Sequence, residues 1–161
     1  PHAPLMRDPT IDRISSAVRV AHEEPALPTG ASRLHAIGWA TVDLDRAVEE
    51  LAGELGISIA ALGEAPGSPA LGARCRVAVG ALPHGLSLAV LEPRTEGRLA
   101  ASLARFGEGP AAVWYVALED GGAGTSPARP GPFGPERLVP GDPVHGPHRL
   151  LIAPGTGTIQ S

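Results

Sequence analysis

The side chains of this 161-residue chain best suited to chemistry are six histidines, thirteen arginines and a single cysteine. Lysine is absent, which excludes a Schiff-base amine, a phosphate-loop lysine and a lysine general base. The densest histidine pattern is PVHGPHRL, where His145 and His148 flank a Gly-Pro break and Asp142 is the nearest acid. That spacing could hold a metal, but no Cys, Asp or Glu pattern completes a ligand set. An acid or base role fits better because imidazole titrates near neutrality. The plain alternative is a pair of solvated loop histidines. His2 and His22 lie in an N-terminal stretch and His84 in the hairpin-like ALPHGLS; all three read as bystanders. Cys75 alone allows neither an internal disulfide nor a Cys-only metal site. Ser87 has no activating partner in sequence, and no Gly-x-Ser-x-Gly elbow supports a serine hydrolase. The carboxylates Asp43, Glu49, Glu50, Glu54, Glu92, Glu119 and Asp120 read as caps, exposed helix positions and strand ends, without an acid–base pair.

The elements that must carry these residues follow from periodicity. Residues 1–32 form an arm: Asp8 and Pro9 can open a short helix with Ile11, Ile14, Val18 and Ala21 on one face, which docks on the main body or on a second subunit if the arm is ordered. RLHAIGWATV reads as a strand. Asp43 then caps DLDRAVEELAGELG, where Leu44, Ala47, Val48, Leu51 and Leu55 recur at helical spacing and Gly56 ends the helix. ISIAALG reads as a short strand, EAPGSPALGA as a loop, and RCRVAVG and LSLAVLEP as strands, giving β-α-β-β-β. Thr95 can cap a linker helix over EGRLAASLARFG, so the first module spans 33–107. Residues 108–161 begin with the strand AAVWYVALED, pass through a Gly/Pro-rich loop at 121–147 that cannot sustain a helix, and end in the strand-like HRLLIAP and GTGTIQS.

Composition narrows the function classes. Net charge is −4 with no basic run, and aromatics are only 3%, so a nucleic-acid surface is excluded. No apolar run is long enough to span a membrane, and the first residues lack a signal-peptide pattern. A soluble cytoplasmic protein acting on a small molecule is the expectation. Its Ala/Arg/Gly/Pro-rich, lysine-free composition suggests a high-GC bacterial source, where related scaffolds often serve antibiotic biosynthesis.

The segment LHAIGWATVDLDRAVEELAGELG resembles the opening of the vicinal oxygen chelate superfamily, which includes glyoxalase I, methylmalonyl-CoA epimerase, extradiol dioxygenases and the bleomycin and fosfomycin resistance proteins. LSLAVLEPRTEGRLAASLARFGEGPAAVWYVALED looks like the epimerase-type stretch that follows, and HRLLIAPGTGTIQ, more loosely, like the last two strands. The resemblance covers about residues 33–120 and implies an α+β fold: paired βαβββ modules forming a cup-shaped mixed sheet, the second module degenerate and lacking its helix. It also implies a divalent metal held by one side chain from each of four strands. Those positions fall on Ala36, Ala89 and Ala112, with the fourth near Gln160. His35 sits one place early, which in a regular strand turns it to the opposite face. Alanine has no lone pair to offer, so no metal and no cofactor are expected.

Strand alternation then suggests what lines such a cup. Ala36, Gly38 and Ala40 leave one wall small. Arg74 and Arg76 turn inward while Val77 and Val79 pack on the helix. Ser87 shares the face of Ala89, and Trp114 that of Ala112. Arg149, Leu151 and Gln160 complete the ring. The resulting roomy pocket would bind substrate through Arg74, Ser87, Trp114, Arg149, Gln160 and the three alanines, with His148, His145 and Arg76 as the catalytic candidates at its rim. The expected function is a metal-independent enzyme of isomerase or lyase type, acting on a small oxygen-rich or acyl molecule by isomerisation, cyclisation or elimination. A binding or drug-sequestering resistance protein is the alternative, and a metal-dependent acyl-CoA epimerase the third. The expected partners are a small molecule and, because a weakened second half would leave sheet edges exposed, a second copy of the chain.

Overall fold

In the computed structural model, which describes residues 10–23, 27–28, 30–118, 128–139 and 147–154, the first module is built around one well-capped helix. The Asp43 side chain accepts a hydrogen bond from the Arg46 backbone N–H at 3.2 Å, and Gly56 at φ 71° closes the helix with its own N–H. Between them α2 (Leu44–Leu55) buries Leu44, Ala47, Val48, Leu51 and Ala52 as one stripe. The stripe lies on β1 (Ala31–Ala40), β3 (Ala73–Ala78) and β4 (Ser87–Pro93) through Ile37, Trp39, Ala78, Leu88 and Val90. α1 (Thr10–Glu23) packs beside it, with Ile14, Val18 and Ala21 buried in the same cluster. The apolar stripe of the arm therefore docks on its own sheet.

One eight-stranded sheet organises the rest, in the order β2-β3-β4-β1-β5-β8-β7-β6. β1 runs parallel to β4, which pairs antiparallel with β3, and β3 with β2 (Gly63–Ser68). The same pattern repeats in β5 (Gly109–Ala117), β8 (His148–Ile152), β7 (Gly134–Leu138) and β6 (Arg129–Gly131). The modules join through the antiparallel β1–β5 pair, and the outer strands β2 and β6 come against each other, so the sheet curls almost into a closed cup. Among the described residues no helix lies between β5 and β6, where the first module has α2; residues 119–127, on which the expected loss of the second module's helix falls, lie outside the described residues. α3 (Arg98–Phe106) sits on the concave side, burying Leu99, whose N–H bonds the Leu71 carbonyl at 3.2 Å.

Three local expectations are corrected. ISIAALG contains a 3-10 turn at Ile59–Ala61 rather than a strand; the strand is the following GEAPGS. Its glycines and proline are tolerated because β2 is an outer strand, paired only with β3 and through an irregular register. Thr95 does not cap α3, which starts at Gly97 without a side-chain cap. The tract 121–147 contains two short strands, joined by pairs such as Pro130↔Pro135, which need no proline N–H. The expected capping residues Asp8 and Pro9 and the strand-like GTGTIQS lie outside the described residues.

Gly38 fixes how tightly the cup closes. A Cβ there would meet Leu91 Cδ1 and Trp114 Cζ3, each at 2.8 Å, and Ala112 Cβ at 3.1 Å. The variant Gly38→Val is expected to lose about 1–3 kcal/mol of stability through overpacking, read as a lower urea midpoint with an unchanged m-value.

Candidate functional site

The concave face is lined by Ala36 and Ala40 of β1, Cys75 and Val77 of β3, Ala89 and Leu91 of β4, Trp114 and Val116 of β5, and Leu150 and Ile152 of β8. Ser87 shares this face, where its Oγ accepts the Gly80 N–H at 3.1 Å. The space left by Ala36, Gly38 and Ala40 is occupied by the Trp114 indole and Leu91. The roomy pocket expected from the small residues is thus a packed interior, because those residues are the complement of a large side chain contributed by the neighbouring strand.

Two strands carry the opposite parity to that inferred from sequence. On β3, Val77 pairs with Ala89 and Cys75 with Leu91, so Arg74 and Arg76 point to the convex side. There the Arg74 Nε–H bonds the Glu92 carboxylate, and Arg76 donates to the Leu62 carbonyl at 2.5 Å and to that of Ile59 at 3.3 Å. Both arginines brace the edge of the first module rather than line a cup. On β8, His148, Leu150 and Ile152 face inward while Arg149 and Leu151 face out. His148 is fully buried, its Nε2 3.3 Å from the Arg98 carbonyl oxygen. His145 and Gln160 lie outside the described residues. The three catalytic candidates therefore do not converge: Arg76 and His148 stand on opposite faces of the sheet.

Two concave-side groups escaped the sequence reading. The first is His35. A register shift between Leu34 and Ala36 makes it a bulge residue, and its ring packs edge-on against Phe133 at 5.1 Å, on the same side as Trp114. Burial, helped by the charge of Arg33, pulls its pKa below the ordinary histidine value, which keeps the ring neutral. The second is Glu136, on the hairpin formed by the Gly/Pro-rich tract and only 1% exposed. Its Oε2 accepts the Ser68 hydroxyl at 2.6 Å and the Ala70 N–H at 3.2 Å, while Oε1 accepts the Trp114 indole N–H at 3.0 Å. Burial pushes this carboxyl above its usual range against the pull of those hydrogen bonds and of Arg129. Cys75 lies close enough to feel that carboxylate; burial foremost, then the neighbouring charge, drives its thiol up to about 12, so it is no nucleophile.

A second concavity lies on the convex side. It is an open groove of about 450 Å³ between α1 and the β5–β8 pair. Ala17, Val20, Val113 and Tyr115 provide apolar walls, and Arg13 and Arg149 border them. Arg13 donates to the Glu108 carbonyl at 2.8 Å and lies over the Trp39 ring at 5.1 Å, leaving further guanidinium N–H groups. Beside it Glu108 anchors the start of α2. Burial raises its pKa, but bonds from the Val42 N–H, the Thr41 hydroxyl and Arg46 outweigh that and hold it below the usual carboxylate range.

The architecture is a glyoxalase-type cup, and solved structures of that fold match it along most of the chain. A variant of methylmalonyl-CoA epimerase from Streptomyces coelicolor, in complex with 2-nitronate-propionyl-CoA, is similar at 22% identity over 76% of this chain and 97% of its own, with a TM-score of 0.58. Methylmalonyl-CoA epimerase from Mycobacterium tuberculosis matches at 21% identity over 81% and 93%, with a TM-score of 0.60. A mutant of 4-hydroxymandelate synthase from Streptomyces coelicolor matches at 19% identity, covering 79% of this chain and 39% of that one, with a TM-score of 0.50. No protein-family profile and no curated protein sequence matches the chain. At these identities the likeness establishes the fold, which is one that enzymes use. Among the described residues no helix is long and apolar enough to cross a membrane.

The superfamily's metal position can be tested against the residues present. Ala36, Ala89 and Ala112 all face the interior, and the repeat of the two modules identifies the fourth position: Gly38 pairs with Ala89 as Trp114 pairs with Leu150. Three alanines and a leucine supply no donor atom. Glu136 has both oxygens engaged by protein N–H and O–H donors. The residues on the four central strands do not fit a divalent metal.

The linkage at Glu136 has a definite sign. Because folding raises its pKa, the native state binds its proton more tightly than the unfolded chain. The stabilisation this represents is complete below the ordinary value of 4.5 and is lost as pH rises through the higher folded value. Relative to the wild type, Glu136→Gln is therefore expected to gain stability as pH is raised from about 4.5 to 7. Urea midpoints of both proteins across that range check this; a difference independent of pH contradicts it.

Proposed function

We propose that this chain is a small-molecule-binding protein on a glyoxalase-type scaffold, with its ligand on the convex groove rather than in the cup and with no metal chemistry. One observation carries the reading. The concave face, where four donors would be needed, is packed with apolar side chains, whereas the convex side of β5 and β8 carries a concavity of about 450 Å³. That volume lies within the usual range for small-molecule sites, and a mostly apolar wall bordered by a few polar groups is the usual composition. Tyr115 and Val113 suit an acyl chain or a planar ring, and the guanidinium groups of Arg13 and Arg149 suit a carboxylate on it.

A metal-independent isomerase or lyase is the second reading, favoured by the buried Glu136 and His148 on the concave side of a fold that enzymes use. It requires the cup to open, since neither group is accessible. Dimerisation is likewise a proposal. Its original ground, free sheet edges, is weakened because β2 and β6 cover one another, leaving the apolar groove as the surface a second copy would bury.

Calorimetric titration with decanoate and with indole-3-acetate tests the binding reading. Val20, which lines the groove and is 56% exposed, can be changed without disturbing the core. Val20→Glu is expected to weaken binding of either carboxylate at least about tenfold while leaving the melting temperature within about 2 °C. Unchanged affinity in that variant, or no binding by the wild type, contradicts the proposal. Turnover abolished by His148→Ala would favour the enzyme reading instead.

A further inference from the structure

Where the outer strands meet, the sheet leaves an open cleft of about 520 Å³. Its walls include Ser68 at the end of β2, Gly72, Arg94 and Thr95 just after β4, and Arg129 and Pro130 on β6. Both modules contribute a guanidinium to it. No acidic residue lines it, and among the described residues neither Arg94 nor Arg129 forms an ion pair, whereas Arg46 and Arg74 do. In a chain of net charge −4, two arginines brought together from separate modules with no acid on the cleft wall concentrate positive potential at one place.

The Thr95 hydroxyl adds a third donor. It is not used to cap α3, and it forms no hydrogen bond among the described residues. It also sits close over the loop backbone: a Cβ on Gly72, whose φ is +69°, would lie 2.8 Å from Thr95 Oγ1. A glycine at that position therefore provides both the left-handed turn and the room for the hydroxyl. Glu136, the cross-strand partner of Arg129 and within reach of its charge, does not line the cleft: it is buried, with its oxygens turned to Ser68, Ala70 and Trp114.

We infer that this seam cleft is an oxyanion site that takes a phosphate group, either free or as the monoester of a small molecule, held by Arg94, Arg129 and the Thr95 hydroxyl. A planar carboxylate is satisfied by one guanidinium fork; two forks from different walls plus a hydroxyl match the several oxygens of a tetrahedral dianion. The site is separate from the convex groove and stands or falls independently of it.

Titration with inorganic phosphate and with phenyl phosphate, followed by ³¹P line broadening and by calorimetry, tests the inference. The wild type is expected to bind with a dissociation constant at or below the millimolar range, weakening as salt is added. Arg94→Ala and Arg129→Ala should each weaken binding at least about tenfold, and Thr95→Val severalfold, with melting temperatures within about 2 °C of wild type because these side chains are exposed. Val20→Glu should leave phosphate binding unchanged. Tighter binding of phenyl phosphate than of the free ion assigns a monoester ligand, equal binding assigns phosphate itself, and either supports the site. No binding by the wild type up to about 10 mM, or binding that survives in the Arg94→Ala/Arg129→Ala double variant, overturns it.

Discussion

A carboxylate removed from water needs compensating donors, and Glu136 receives them from three places at once: the end of β2 through Ser68, the loop beyond it through Ala70, and the middle of β5 through Trp114. Its own strand, β7, belongs to the second module, so these bonds pull the far edge of that module onto the free edge of the first. Other features accommodate the arrangement. A side chain on Gly131 would collide with the Glu136 carboxyl. Phe133 lies edge-on to Trp114 at 5.1 Å, and the small residues of β1 and β5 admit the indole. The hydrogen-bonded carboxylate and the alanine-lined wall are two sides of one packing solution.

That solution changes what the scaffold can do. In the superfamily's arrangement the concavity is where ligands meet metal; here the same concavity is a core, with Leu71, Leu91, Leu99, Leu150 and Ile152 buried around Trp114. The two surfaces proposed to bind small molecules lie outside that core. One is the groove between α1 and the outer face of β5 and β8. The other is the cleft where closure of the cup places Arg94 of the first module and Arg129 of the second together. The closure uses the short β6–β7 hairpin, which a Gly/Pro-rich tract can form.

Most of the fold was legible in sequence because it rests on short-range signals. Asp43, Gly56 and the 3.6-residue stripe between them define α2, and runs such as AVWYVA define strands. The resemblance supplied the joining of two modules into one cup-shaped mixed sheet. What was not legible depends on alternation, which a single irregularity inverts. The bulge at His35 brought that residue to the concave side, and the parity of β3 and β8 differed by one place, which moved Arg74, Arg76 and Arg149 outward and His148 inward. Glu136 gave no local signal within GPFGPERLVP, and its burial follows only from where Ser68 and Trp114 are brought by the rest of the chain. The three alanines were read as lining empty space, whereas a tryptophan from the adjacent strand fills it.

The central claim, that the cup is a closed core held by Glu136, can be measured at a single proton. The chain has two tryptophans, Trp39 and Trp114, so their indole N–H signals in a ¹⁵N-labelled sample are readily distinguished by substitution. If the account is right, the Trp114 indole proton exchanges with solvent only through global unfolding, with a protection free energy equal to that from urea unfolding and sharply reduced in Glu136→Ala. Rapid exchange of the Trp114 indole in the native wild-type protein would mean that the cup is open to water, and would contradict the account.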